Sequence, residues 1–250
     1  QVMYYGLGIE GNNTVLSNSP LFRPEYKEKW ANYDVDRANI LMDQIGLRYL
    51  NDAKYRYMND GRRLEIIIET AGEDTEQSDV LELIRDAWAK IGIKVYTKPS
   101  QREVFRNRIY SGDSQMSIWS GYENALLTAK MSPDEFAPTR QTSLQWSKWG
   151  QHFETSGISG APPTLAAANN LLRLYKDWFK ATQFVSKEAI WHQILRLHAD
   201  NVFTIGLISG VLQPIVVAKK MQNVPNEGIY NWNPGAHLGI YMPDTFWFKE

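Results

Sequence analysis

The sequence contains no cysteine among its 250 residues, which excludes disulfides, thiolate metal sites and cysteine nucleophiles. It also lacks an excess of either charge, because 27 Lys and Arg against 28 Asp and Glu give a formal net charge of −1. Binding to nucleic acid phosphates requires a basic face, so the balanced charge argues against a nucleic acid partner. No apolar run approaches the roughly 18 residues that a membrane span requires.

What the chain does have is a globular composition, with 43% hydrophobic and 22% charged residues, which excludes a disordered chain. Its 9 Trp, 13 Tyr and 9 Phe exceed what we expect a core alone to need and favour an aromatic-lined binding surface. The chain begins at Gln1 and shows no signal peptide, so we expect a processed or truncated product.

Residues 64–97 give the clearest order of predicted elements. Leu64, Ile66 and Ile68 alternate with charged residues, as in a half-buried strand. A helical stripe follows whose members are expected to be buried: Val80, Ile84, Trp88 and Ile91. A second strand follows Gly92. This order predicts a βαβ unit with a parallel strand pair.

The flanking pattern predicts further helices and strands. Asp34 is a candidate N-cap, and Asp60-Gly61 is a hairpin turn signal. A short helix is predicted near residues 101–110, followed by a strand at the sequence QMSIW. Two later helices are predicted, one over 164–182 with Phe179 on its apolar face and one with Ser186 as N-cap. The stretches FTIGLI and QPIVVA resemble buried strands.

Residues 120–163 show neither helical nor strand periodicity, and a loop of this length in a compact chain is usually functional or disordered. Aromatic side chains argue against disorder; they are Trp119, Tyr122, Trp146, Trp149 and Phe153. They either pin the loop to the core or form a stacking surface for a solute.

No catalytic or metal constellation stands out, so no cofactor, metal site or catalytic residue is predicted. The GLGIEG stretch has the spacing of a dinucleotide-binding loop but lacks the helix that must follow it. His192 and His198 are six residues apart and lie on different faces of a helix. A pair of loop carboxylates could flank a glycosidic bond, which leaves a carbohydrate-active enzyme as an alternative. The candidates are Glu123, Asp134, Glu135 and Glu154.

The order of motifs over residues 33–225 resembles the C-terminal lobe of the family-five extracellular solute-binding proteins, the oligopeptide, dipeptide, nickel and oligosaccharide receptors of ABC importers. The resemblance rests on ordered pieces of sequence: Tyr33-Asp34, Gly46, Asp60-Gly61, Ile91-Gly92-Ile93, the SGYEN turn and MQNVP. It implies an α/β fold, namely a C-terminal lobe like those of type II periplasmic binding proteins, with a mixed sheet and flanking helices. It also implies that residues 1–205 form a ligand-binding lobe with a truncated start, and that 206–250 return toward a missing N-terminal lobe.

The same resemblance implies a non-enzymatic receptor that captures an oligopeptide or similar solute in the bacterial envelope, in the periplasm or at the cell surface. Its other partners would be the transmembrane subunits of an ABC permease. Gly121 and Tyr122 match a family turn that lines the ligand cleft, and Glu123 and Asn124 belong to the same turn. The aromatic loop adds Trp119, beside the turn, as a ligand-contact candidate, with Trp146 and Trp149 as further candidates. Oligopeptide receptors of this family carry an Asp three residues after the aromatic residue of the turn, which pairs with the α-amine of the peptide. Here that position is Ala125, so an oligosaccharide or an opine stays open as the ligand. A third class of protein, an adaptor domain that binds protein through the aromatic loop, also stays open.

Without its opposite lobe, the chain is expected to bind solute poorly. We also expect it to expose apolar surface around the stretch FTIGLISGVLQPIVVA and to self-associate through it.

Overall fold

The computed structural model describes residues 3–51, 53–73, 75–123, 126–229 and 241–249. In chain order its helices are α1 Pro24–Glu28, α2 Val35–Gln44, α3 Thr75–Ala89, α4 Arg102–Ser111, α5 Ser147–Glu154, α6 Ala166–Lys180 and α7 Phe184–Asn201. Its strands are β1 Ile9–Glu10, β2 Arg48–Tyr49, β3 Arg56–Tyr57, β4 Glu65–Thr70, β5 Lys94–Pro99, β6 Met116–Ser117, β7 Ile208–Ser209, β8 Met221–Gln222 and β9 Trp247–Phe248.

The chain divides into two compact units, each of which is discontinuous in sequence. The sheet unit comprises residues 32–119 and 134–173, and the helical unit comprises 1–31, 120–133 and 174–250. The predicted division into a lobe, 1–205, and a return segment, 206–250, stays a prediction.

The centre of the sheet unit is a parallel sheet with strand order β5-β4-β6. β4 pairs with β5 from Glu65 opposite Lys94 to Thr70 opposite Pro99, and helix α3 connects the two strands. This arrangement is the predicted βαβ unit. Antiparallel pairing occurs in separate two-stranded sheets, β1 with β7, β2 with β3 and β8 with β9. The predicted α/β fold class is confirmed.

Helix α3 does not bury the stripe that its sequence predicts. Leu81 is its fully buried residue, and it packs with Ile68, Ile93 and Val95. The four stripe residues are only partly buried: Val80, Ile84, Trp88 and Ile91. The reason lies in the sheet, because a three-stranded sheet with β6 only two residues long covers little of a helix surface.

Helix α5 corrects the prediction that residues 120–163 lack regular structure. Gly150 lies within α5, where it allows the backbone of Arg140 to approach closely. A Cβ at this position would lie 1.9 Å from the carbonyl oxygen of Arg140. The glycine therefore serves packing, which a search for periodicity does not detect.

Helices α6 and α7 lie close to their predicted positions, with two corrections. Helix α7 has Gln183 at its N-cap and begins at Phe184, so the prediction that Ser186 caps it is wrong. Phe179, which the sequence places on the apolar face of α6, is exposed, whereas Leu174 and Trp178 are buried. The apolar face predicted for α6 is therefore wider than the part of the helix surface that neighbouring residues cover.

The stretches FTIGLI and QPIVVA are not buried strands. Only Ile208–Ser209 forms a strand, which pairs with Ile9–Glu10, and Val216 is 98% exposed. Ile205, Leu212 and Ile215 are exposed as well. The expected apolar surface is therefore present in this stretch, whereas self-association through it stays a prediction.

Candidate functional site

The strongest candidate site in the sheet unit is the edge where its parallel strands end. β4 ends at Thr70 and β5 at Pro99, and Ser117 ends β6 at the same edge. In open α/β sheets, ligands bind outside the carboxyl ends of the strands, where the connections leave the sheet in opposite directions. A groove of about 410 Å³ lies there, lined by Ala71, Gly72, Glu73, Pro99, Ser100, Gln101 and Arg102.

The turn after β4 shapes this groove. Gly72 has a φ of +67°, a left-handed conformation that residues with a Cβ rarely adopt. Its N–H donates to the Thr70 hydroxyl at 3.2 Å, and the Ser100 N–H donates to the Thr70 carbonyl at 3.0 Å. The loops after β4 and β5 are therefore held side by side.

A pair of opposite charges and an indole ring lie along the edge. The Nε of Arg102 donates to both carboxylate oxygens of Glu73, at 2.8 and 2.9 Å, and these hydrogen bonds lower the pKa of Glu73. The guanidinium lies 5.6 Å from the ring of Trp119. That ring stacks on Phe105 at 5.5 Å and is 37% exposed. The edge thus offers a cation, an anion and an aromatic surface to a solute.

Sequence reasoning named Trp119 but missed Glu73, Ser100 and Arg102. All three follow directly on predicted strands of the βαβ unit, so the rule for strand ends could have found them. Trp146 and Trp149, the other predicted residues in this unit, lie on or next to helix α5. Trp146 is buried and Trp149 is partly buried, so both rings contribute to packing, and their contact with a ligand stays a prediction.

The remaining predicted residues belong to the helical unit. Gly121 and Glu123 are exposed, whereas the Tyr122 side chain between them is only 8% exposed. The Tyr122 hydroxyl lies 2.9 Å from Nδ1 of His198 on helix α7. Asn124 lies outside the described residues. The turn therefore presents two exposed residues on either side of an anchored tyrosine.

The chain after this turn has no regular structure, yet its backbone carbonyls are satisfied by side chains. Ser19 Oγ donates to the carbonyl of Leu127 at 2.5 Å. In addition, the indole N–H of Trp178 donates to the carbonyl of Ala129 at 2.9 Å. The indole N–H of Trp191 donates to the carbonyl of Met131 at 3.0 Å. Alternate residues are thus pinned to the rest of the unit, which explains how an aperiodic segment keeps a defined path.

The geometry gives little support for the two alternatives from the sequence, a histidine metal site and a pair of carboxylates that cleaves a glycosidic bond. His192 and His198 each hydrogen-bond to a tyrosine, and the described part of the chain holds no cluster of three potential metal-ligating side chains. Among the loop carboxylates, Asp134 forms an ion pair with Arg140, and Glu154 accepts a bond from the backbone N–H of Gln141 at 2.8 Å. Both groups therefore have structural partners.

Comparison with known proteins gives these features a context. The model of the bacterial extracellular solute-binding proteins, family 5 middle, matches residues 1–142. The chain belongs to this family. The resemblance inferred from the ordered motifs is thereby confirmed. Among curated protein sequences, none matches the chain.

Solved structures extend the similarity over the whole chain. The oligopeptide-binding protein OppA is 25% identical and matches 100% of this chain and 41% of its own, with a TM-score of 0.76. MelB of Agrobacterium fabrum, in complex with stachyose, is 14% identical over 95% of this chain and 34% of its own, with a TM-score of 0.67. AppA of Bacillus subtilis, in complex with a nonapeptide, is 12% identical over 96% and 43%, with a TM-score of 0.63.

The family member described here therefore spans less than half of each of these relatives. The family and these relatives are binding proteins. No helix within the described ranges has the length and apolar character needed to cross a bilayer.

Proposed function

We propose that this chain is the ligand-binding lobe of the substrate-binding component of an ABC importer and that its solute is an oligopeptide. The observation that carries the proposal is the similarity to OppA, which covers the entire chain at a TM-score of 0.76. The receptor captures the solute in the bacterial envelope, in the periplasm or at the cell surface. It then delivers the solute to the transmembrane subunits of a permease. The role is non-enzymatic.

The chemistry of the carboxyl edge supports a peptide. A peptide carries a positive amino end, a negative carboxyl end and apolar side chains, and the edge carries Glu73, Arg102 and Trp119 together. In this proposal, Glu73 and Arg102 exchange part of their mutual pairing for the ends or backbone of the solute. Because both side chains are about half exposed, that exchange involves little desolvation.

An oligosaccharide is the second candidate because the indole of Trp119 is partly exposed. The apolar faces of sugar rings pack on such a surface. The same edge would then use Glu73 and Arg102 as hydrogen-bonding partners for hydroxyl groups. An opine, which combines a carboxylate with an amine, would also suit these charges.

In the test, the protein expressed from its complete native open reading frame is incubated with a tryptic digest of casein and, separately, with stachyose. Retained solute is identified by mass spectrometry after ultrafiltration. We expect peptides to be retained and stachyose to pass. Retention of stachyose alone would favour the second candidate, and hydrolysis of either solute would contradict a non-enzymatic role.

A matched pair of variants locates the site. Trp119→Ala should weaken retention of casein peptides about tenfold, as expected for loss of an aromatic anchor. Tyr33→Ala removes another exposed aromatic residue, which contacts Lys90 just beyond the end of α3, at the opposite edge of the sheet. It should leave retention unchanged.

A further inference from the structure

The Tyr122 side chain is buried, although the residues on either side of it in the turn are exposed. Gly121 and Glu123 face solvent, while the Tyr122 hydroxyl lies within the helical unit at hydrogen-bonding distance from His198. The two rings meet edge to face, with centroids 6.0 Å apart and planes at 77°. This geometry holds the ring by both its hydroxyl and its edge.

His198 is itself rigidly placed. It lies in the last turn of the 18-residue helix α7 and is only 6% exposed. Its ring packs edge to face against Phe203 at 5.3 Å and 74°. A side chain on a long helix, with its ring packed, presents Nδ1 in one direction.

The contact between Tyr122 and His198 differs from the anchors that follow it. Ser19, Trp178 and Trp191 bind backbone carbonyls of the segment, whereas His198 binds a side chain of the turn. Tyr122→Phe therefore removes a hydroxyl contact of the turn and leaves the three backbone carbonyl bonds of the following segment in place.

We infer that His198 is a positioning residue for the ligand-contacting turn. By holding the Tyr122 hydroxyl, it fixes the backbone on both sides of Tyr122, so that Gly121 and Glu123 face the solute already ordered. If the turn became ordered only when solute binds, the loss of conformational entropy would weaken solute binding. The inference rests on the proposed function, because it assigns the turn to solute contact.

The test uses the natively encoded protein with the substitutions Tyr122→Phe, His198→Leu and His198→Asn, and a double variant that combines Tyr122→Phe with His198→Leu. Amide hydrogen exchange of residues 121–123 is measured without solute, and retention of peptides from a tryptic casein digest is measured separately. Tyr122→Phe and His198→Leu should each accelerate exchange and weaken retention by about three- to tenfold, the value of one hydrogen bond. The double variant should be no worse than either single variant.

Two controls separate positioning from packing. The Asn side chain can place a polar atom near the position of Nδ1, so His198→Asn should restore both readouts. Tyr26→Phe removes another tyrosine–histidine hydrogen bond to helix α7, where the Tyr26 hydroxyl lies 3.1 Å from Nδ1 of His192. That variant should leave exchange at 121–123 and peptide retention unchanged.

The inference is overturned if Tyr122→Phe leaves exchange at 121–123 unchanged, or if His198→Asn behaves like His198→Leu. Faster exchange with unchanged peptide retention also overturns it, because the turn would then be positioned without consequence for binding. If the unaltered protein retains no casein peptide, the proposal of a peptide receptor fails. In that case, exchange alone decides whether His198 holds the turn.

Discussion

The parallel sheet β5-β4-β6 and residues 127–131 satisfy their backbone hydrogen bonds in different ways. In the sheet, strands pair with strands, and the pairing runs over the whole length of β4 and β5. In the 127–131 segment, the carbonyls of alternate residues accept bonds from the side chains of Ser19, Trp178 and Trp191. The first arrangement uses groups that every residue carries, whereas the second depends on three particular side chains elsewhere in the sequence.

This difference decides what the sequence could predict. Alternation at Leu64, Ile66 and Ile68 and the helical stripe of α3 are local signals, so the βαβ unit was predictable. The path of residues 127–131 depends on donors that lie between 49 and 108 residues away, and no local pattern records them. The segment was therefore recognised only as aperiodic.

The candidate site divides in the same way. Trp119 is predicted from the aromatic loop beside the family turn, and Glu73 and Arg102, which the prediction missed, lie within reach of the rule for strand ends. The burial of Tyr122 was not predictable, because it depends on His198, 76 residues away in the sequence.

Breaking the ion pair at the centre of the sheet should have the largest effect. The Glu69 carboxylate on β4 is almost fully buried, and Arg108 donates to it from α4 at 2.8–2.9 Å. Alternation along the strand predicts instead a solvent-facing Glu69. Arg108→Met should lower the free energy of unfolding by about 3–5 kcal/mol, because it leaves a buried charge unpaired. Urea unfolding followed by circular dichroism measures the loss.

Arg102→Met is the matched control, because its partner Glu73 is about half exposed and can be solvated. It should lower the free energy of unfolding far less than Arg108→Met does. Equal losses in the two variants would mean that burial of Glu69 does not govern the stability of the sheet.

Removing one donor from the 127–131 segment should have the next largest effect. Trp178→Phe leaves the buried carbonyl of Ala129 without its indole N–H, which should cost about 2 kcal/mol. Amide exchange should accelerate in residues 126–133 more than in β4. Trp247→Phe, at an exposed strand position, should change stability by less than about 0.5 kcal/mol. Uniform acceleration across the chain would contradict a local bracing role.

A smaller effect is expected where a side chain completes a regular element. The Asp34 carboxylate accepts the backbone N–H of Arg37 at 2.8 Å and so caps helix α2, as the sequence predicted. Asp34→Ala should cost about 1 kcal/mol, whereas Asp34→Asn, which can also cap, should cost little. Urea unfolding of both variants checks this order, and equal losses would argue against capping.

The smallest effect concerns pH. Burial, followed by the nearby positive charge of Arg23, lowers the pKa of His192. The folded state therefore favours neutral His192, so its contribution to stability is full above the ordinary histidine pKa and declines as the pH falls below it. His192→Gln should flatten the dependence of the unfolding free energy on pH between about 7 and 5. A slope that His192→Gln leaves unchanged would exclude His192 as its source.

The bracing of residues 127–131 has a consequence for divergence among related receptors. Its acceptors are backbone carbonyls, which any residue type at positions 127, 129 and 131 carries, whereas the side chains of Leu127 and Ala129 are buried and constrained by packing. Its donors are two indoles and a hydroxyl, for which few residue types can substitute. Mutations can thus accumulate at the exposed positions of the segment, Lys130 and Met131, while selection falls on its buried positions and on the distant donors. Related receptors could therefore differ in the solute they bind while the backbone path beside the turn stays the same.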